Sequence, residues 1–235
     1  MLHFSRKWSV PWCRICHTFQ MTNAEFLPTP ATTPRVAARA SFDRQHAYEI
    51  IDEAPIAHVG FIVDGMPAVM PMAIGRIENR LIIHGSVATR IFRTAGESAQ
   101  VCVTITHLDG LVLARSQFHH SMNYRSVVII GETRRLRDAP AVAALQAVVN
   151  HVLPGRTSEA RSITDVELRQ TFVSELDIEQ ASVKTRSGGP IDDEEDLDLD
   201  VWAGVIPLSL QAGTPVPDND GPPPQALQRW YRSAT

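Results

Sequence analysis

The sequence predicts a mainly β, α+β protein: a small closed or split β-barrel with peripheral helices. Three observations lead there. Tight-turn dipeptides at Asp64-Gly65, Glu78-Asn79 and Asp109-Gly110 separate β-rich runs at hairpin spacing. About seven such runs occur, against a few short helical patterns. Strands and helices do not alternate regularly, which excludes the parallel doubly wound and (β/α)8 architectures. Antiparallel strands in this number bury their apolar faces by curling into a barrel.

Each element follows from its residues. Asp43 caps a helix over residues 44–54, where Ala47, Ile50, Ile51 and Ala54 share one face and Pro55 ends it. Ile56–Val63 is a strand, and Met66–Ile77 returns through the Asp64-Gly65 turn. Pro67 and Pro71 cannot donate to a ladder, so this second strand has a free side. Arg80–His84 is the third strand, and residues 87–95 form a short helix after Gly85-Ser86. Val101–His107 and Leu111–Gln117 read as a hairpin about Asp109-Gly110. Tyr124–Leu136 is a long strand. A helix over 139–153 carries Ala143, Ala144, Ala147, Val148 and His151 at helical spacing and stops at Pro154-Gly155. A brief helix over 165–172 precedes strands at 173–184 and 201–210.

The chain has room for one domain of 150–200 residues plus tails. Residues 1–40 read as a leader, 41–210 as the barrel and 211–235 as a Pro-rich tail. Residues 1–20 hold two of the three cysteines and two of the four tryptophans, so Met21 is an alternative start. Cys13-Arg14-Ile15-Cys16-His17 spells the C-x-x-C-H pattern of covalent haem attachment, but no apolar signal segment precedes it. Three cysteines argue against a disulfide framework and for a reducing, cytoplasmic setting. Net charge is −4, and seven acids lie within 192–200. The 22 basic residues against the other 19 acidic ones leave +3, with no concentrated basic face for nucleic acid. No apolar run approaches the ~18 residues of a membrane span.

The hydrolase, zincin, P-loop and dinucleotide motifs are absent. The acidic run fails as a calcium loop, having Val201 where glycine belongs and Pro207 where glutamate belongs. His119 and His120 are adjacent, so their side chains diverge and no metal site is expected. Two stretches carry chemistry. In Leu81–Arg90, a strand delivers His84 and Gly85, then Ser86, Thr89 and Arg90 gather at a helix start. That is either a phosphate site or an ordinary strand-to-helix turn. Asn123, Tyr124, Arg125 and Ser126 crowd the entry to an apolar strand, as a ligand rim or as a hydrogen-bonded turn.

At these residues the chain resembles the FMN-binding split-barrel superfamily related to pyridoxamine 5′-phosphate oxidase, in its flavin-nucleotide-binding, Nim-type nitroimidazole-resistance branch. The stretches that carry the likeness are VMPMAIGR (69–76), LIIHGS (81–86), 101–132 around Asn123–Val127, LPGR (153–156) and 181–208. The resemblance implies a homodimer with FMN held without covalent bonds at the subunit interface. It implies that Ser86, Thr89 and Arg90 meet the phosphate and that Val69, Pro71 and Met72 line the ring. Asn123, Tyr124, Arg125 and Ser126 would form the second ring and phosphate wall, Trp202 would pack on the flavin, and Lys184 and Arg186 are further binding candidates. The arginine and histidine pattern of the oxidase itself is not visible after Trp202, which argues against pyridoxamine phosphate as substrate.

The expected function is an FMN-dependent oxidoreductase. It would take a hydride from a reduced nicotinamide and pass electrons to a small acceptor such as a nitroaromatic, with His84 as proton donor or orienting group. The alternative is a flavin-binding or haem-binding barrel without turnover.

Overall fold

The computed structural model describes residues 25–33 and 37–230. Six antiparallel strands close a barrel: β2 (Ile56–Val63), β3 (Met66–Ile77), β4 (Arg80–Ser86), β7 (Thr171–Asp177), β6 (Ser121–Leu136) and β5 (Ser98–Leu113). The two 16-residue strands, β5 and β6, pair with each other along nearly their whole length and close the ring. β5 alternates strictly at its centre: Val101, Val103 and Ile105 enter the core, and Cys102 and Thr106 stay outside.

The other edge of β6 is shared. Thr133–Leu136 pairs with β7, and Tyr124–Ile130 pairs with β8 (Gln180–Arg186). β7 and β8 run collinearly along β6, so the single strand expected over 173–184 is one run broken at 177–179. There the register slips by one residue, and Ile178 donates its N–H to Asn79 O at 2.9 Å. Beyond the break the run leaves β4, and among the described strands its outer edge meets only β1 (Ala40–Ser41). This is where the barrel splits.

α1 (Arg44–Glu53) covers the split. Asp43 accepts from His46 N at 2.6 Å as its cap, and Ala47, Ile50 and Ile51 sink into the core as their spacing predicts. α2 (Arg90–Ala95) starts three residues later than expected. Its Phe92 stacks on Phe172 at 4.7 Å. α3 (Asp138–Val152) lies across the outside of β3, β4 and β7 through Ala141, Ala144 and Val148. α4 (Arg156–Glu159) and α5 (Asp165–Gln170) follow it.

Three further readings change. Asp109-Gly110 is a bulge inside β5, not a hairpin turn. Gly110 lets β9 (Gly204–Pro207) approach, since a Cβ there would lie 3.1 Å from Ile206 O. The last strand is therefore four residues long. Within the expected leader, Phe26 is 2% exposed in the core and meets Tyr48 edge-on. Within the expected tail, Gln225–Trp230 forms a 3-10 turn whose Trp230 indole donates to Val152 O at 3.1 Å. Cys13, Cys16 and Met21 lie outside the described residues.

α3 touches β3 backbone to backbone at Gly75, where a Cβ would stand 2.8 Å from Val148 N. Gly75→Ala is expected to lower unfolding free energy by about 1–3 kcal/mol, the usual cost of overpacking. Gly189→Ala, with nothing within 4 Å, should be near neutral. Parallel urea melts of the two variants check this.

Candidate functional site

The β2–β3 ladder is continuous from Ile56↔Ala73 to Val63↔Met66. On its other edge β3 meets β4 only at Ile74–Ile77. Residues 66–73 thus have a free edge, as the prolines predict. Pro67 and Pro71 sit inside the unbroken ladder, so their nitrogens must point away from β2. The two-residue period then puts the Val69 N–H on the free edge, as the one donor between two prolines, beside outward carbonyls. Val69 and Pro71 expose their side chains, whereas Met72 faces the barrel core.

Near this edge lies the end of β4, which is paired with β7 instead. Ser86 Oγ accepts from Ala88 N at 3.2 Å, which shapes the turn into α2. Thr89 makes no side-chain cap bond, and Arg90 has no ion pair among the described residues. Gly85 is required by packing, because a Cβ there would lie 2.2 Å from Phe92.

The second group lies elsewhere. Val127 and Ile129 of β6 and Val183 of β8 point into the core, so Tyr124, Ser126 and Lys184 point out. Lys184 Nζ sits 5.6 Å from the Tyr124 ring centre. Arg186 is 8% exposed and bonds Asn123 Oδ1 at 2.5 Å and Gly189 O at 3.1 Å. Neither cation has a carboxylate partner among the described residues. Arg125 differs. It forks onto Asp109 at 2.9 and 3.0 Å and reaches Glu53 at 2.6 Å. Those hydrogen bonds, first Asp109's and then Glu53's, raise its pKa beyond the ordinary arginine value. Its charge is spent on tying α1 and the β5 bulge to β6, beside a cavity of about 600 Å³. Asp109 and Glu53 escaped the sequence reading. One looked like a turn residue and the other like a helix end.

Between the two groups run β2 and β5. The order β3-β2-β5-β6-β8 sets them four strand spacings apart, about 19 Å along the sheet. No described residue covers the face between them, where Val69 is 67%, Ile62 63% and Ile56 47% exposed and where His58 and Cys102 point outward.

His84 is not on that bare face. It lines a cavity of about 450 Å³ with residues of α3, α4 and α5. Its Nδ1 is buried with no hydrogen-bond partner. Burial lowers its pKa below 6.5, partly offset by the Ala73 backbone beside it. Trp202 is 63% exposed and turns its ring back towards Gly204. The acidic segment before it is pinned: Asp192 accepts from Arg115 N and Nη1, both at 2.8 Å, and Asp193 meets His119 at 3.0 Å. No cluster of three or more metal-ligating side chains occurs among the described residues. None of their helices is long and apolar enough to cross a membrane.

The family described as pyridoxamine 5′-phosphate oxidase matches residues 43–185. The flavocytochrome Anf3 from Azotobacter vinelandii is 36% identical, with 85% of this chain and 95% of that one covered and a TM-score of 0.77. The FAD and haem binding protein from Mycobacterium smegmatis is 35% identical over 82% and 97% of the two chains, with a TM-score of 0.77. A candidate 5-nitroimidazole antibiotic resistance protein from Bacteroides thetaiotaomicron is 23% identical over 62% and 85%, with a TM-score of 0.51, a likeness of fold. No curated protein matches the chain.

The Asp192 clamp makes a pH prediction. Burial would raise this carboxyl's pKa, but the Arg115 backbone N–H and guanidinium outweigh it and hold the pKa below 3.8. A depressed folded pKa gives stability that is whole above the unfolded value and is lost as pH falls through the folded one. Asp192→Asn should therefore flatten the acid limb of the stability–pH curve below pH 3.8, read by urea melts at stepped pH. An unchanged limb would show that the clamp does not contribute.

Proposed function

The chain belongs to the pyridoxamine 5′-phosphate oxidase family, and from that premise we propose that it is a homodimeric flavin-dependent oxidoreductase. The observation that carries this is the division of ligand-ready groups between two ends of one uncovered face. One end offers the β3 free edge with Ser86, Thr89 and Arg90. The other offers Tyr124, Ser126 and Lys184, with Arg186 behind them. A two-fold axis through the bare face sets each end of one copy against the other end of its partner. It also buries Val69, Ile62 and Ile56.

The residues divide the labour. The lone Val69 N–H and the outward carbonyls of β3 read the polar edge of a flat heterocycle. Arg90, with the Thr89 hydroxyl, meets a phosphate dianion. Lys184 and Arg186 add positive charge without an acid to neutralise it. Trp202 lies close enough in the chain to β9 to reach the rim. The flavin, when bound, supplies hydride and single-electron chemistry. The electron donor in this proposal is a reduced nicotinamide, and the acceptor is a small molecule of the nitroaromatic kind. FMN follows from the sequence resemblance. The M. smegmatis relative is named for FAD, so identification of the extracted flavin decides between two ligands that share ring and phosphate. The relatives at 36% and 35% identity are named as a flavocytochrome and for haem, and the proposal includes a haem. Cys102 is a free, exposed thiol, in keeping with a cytoplasmic setting.

Purified protein should be a yellow dimer by absorbance and light scattering. Loss of a charge-assisted hydrogen bond costs about 1.5–3 kcal/mol. Arg90→Ala should therefore weaken flavin-nucleotide binding by roughly 10- to 150-fold. Riboflavin, which has no phosphate, should bind nearly as before. A colourless monomer, or equal losses for nucleotide and riboflavin, would refute the assignment.

A further inference from the structure

We propose that the cavity of about 600 Å³ beside Arg125 receives the electron acceptor, and that it selects an uncharged, flat, apolar ring of the quinone class over anionic ones. This rests on the flavin reading above and adds to it a place for the second substrate and a rule for its charge.

The cavity opens beside the second ligand group. Thr106 and Leu108 of β5 line it, and in the β5–β6 ladder they lie directly opposite Ser126 and Tyr124. Opposed residues of an antiparallel pair share a face, with Cα atoms about 4.5–5.5 Å apart. Ile56, which is exposed on the bare outer face, lines the same cavity. Its mouth therefore adjoins the face where the proposed partner copy brings the flavin.

The walls suit a flat apolar molecule. Ile56, Leu108, Leu208, Leu210 and Trp230 supply them. The volume lies within the range of small-molecule sites, ~300–1,000 Å³. Trp230 is held from behind: its indole donates to Val152 O at 3.1 Å, and its carbonyl accepts from Ala212 N at 3.0 Å. The chain leaving β9 is tied down as well, since Leu208 N donates to Asp109 O at 3.0 Å. An aromatic wall fixed in this way offers a stacking surface to a planar ring.

Charge sets the selectivity. Arg125 is the one arginine or lysine among the described lining residues. Its Nε and Nη2 donate to Asp109 at 3.0 and 2.9 Å, and its Nη1 donates to Glu53 at 2.6 Å. A sulfonate, carboxylate or phosphate entering here would have to displace one of these acids or lie beside it unpaired, and either is unfavourable. An uncharged ring meets neither penalty and still gains the apolar walls. A quinone becomes a hydroquinone by taking two electrons and two protons. The reduced nicotinamide of the proposed function supplies a hydride, and solvent supplies the second proton.

Menadione, a neutral naphthoquinone, and a sulfonated naphthoquinone are titrated into the oxidised full chain. Binding is read by equilibrium dialysis and by the flavin absorption band. Wild type should bind menadione with a change in that band, and should bind the sulfonate at least about tenfold more weakly. Asp109→Asn keeps the shape and releases Arg125 towards an anion, so the preference for menadione should fall at least about tenfold. Ser209→Trp fills the cavity from the β9 side and should remove both menadione binding and the band change, with flavin content unchanged. Leu210→Trp repeats this from the next residue if the first variant melts early. Menadione binding that is unaltered in both filled variants overturns the site. A sulfonate that binds wild type as tightly as menadione, or an unaltered preference in Asp109→Asn, overturns the charge rule. Dialysis needs no flavin, so menadione held by a colourless protein refutes the flavin reading while the cavity still holds the ring. A yellow dimer that binds no menadione overturns this proposal alone.

Discussion

The fold depends on the ladder between β5 and β6. It is the longest pairing in the molecule, and it turns an open row of strands into a closed ring. Because one edge of β6 is wholly committed to β5, its other edge must serve both β7 and β8. The slip at 177–179 lets one run of chain do so and still depart from β4. The split, the α1 plug and the bare outer face all follow from that shared edge.

Electrostatics reinforces the same junction. Arg125 sits on β6 and joins the end of α1 to the β5 bulge through two carboxylates. Exposed ion pairs contribute little, but a half-buried, bidentate arginine with two acids is geometrically demanding. It holds the plug in register with the barrel. By contrast, Arg90, Lys184 and Arg186 have no such acids among the described residues. This division separates cations that build the protein from cations available to an anionic ligand.

Much of the fold was legible because its causes are local. The Asp43 cap, the Ala47/Ile50/Ile51 face and the turn at Asp64-Gly65 each lie within a few residues. Pro67 and Pro71 announced a free edge by chemistry that no tertiary context can alter. The bulge was not legible: Asp109-Gly110 has the composition of a turn, and only β9 and Arg125, distant in sequence, make it a bulge. The site was half legible. Its residue types stood in the sequence, but the separation of the two groups follows from strand order. The place of His84 follows from α3, α4 and α5, which begin more than fifty residues later, and no local pattern reports it.

The free edge of β3 has a consequence for solubility. An unpaired strand beside a bare apolar face is the usual template for adding a foreign strand, the first step towards fibres. β3 presents acceptors to such an intruder but, between its prolines, a single donor. A second strand needs an alternating row of both and cannot zip along it. A compact heterocycle needs only one donor and one or two acceptors and loses nothing. The two prolines thus act as a filter on the kind of molecule that can dock there, closed to polypeptide and open to a small planar ring.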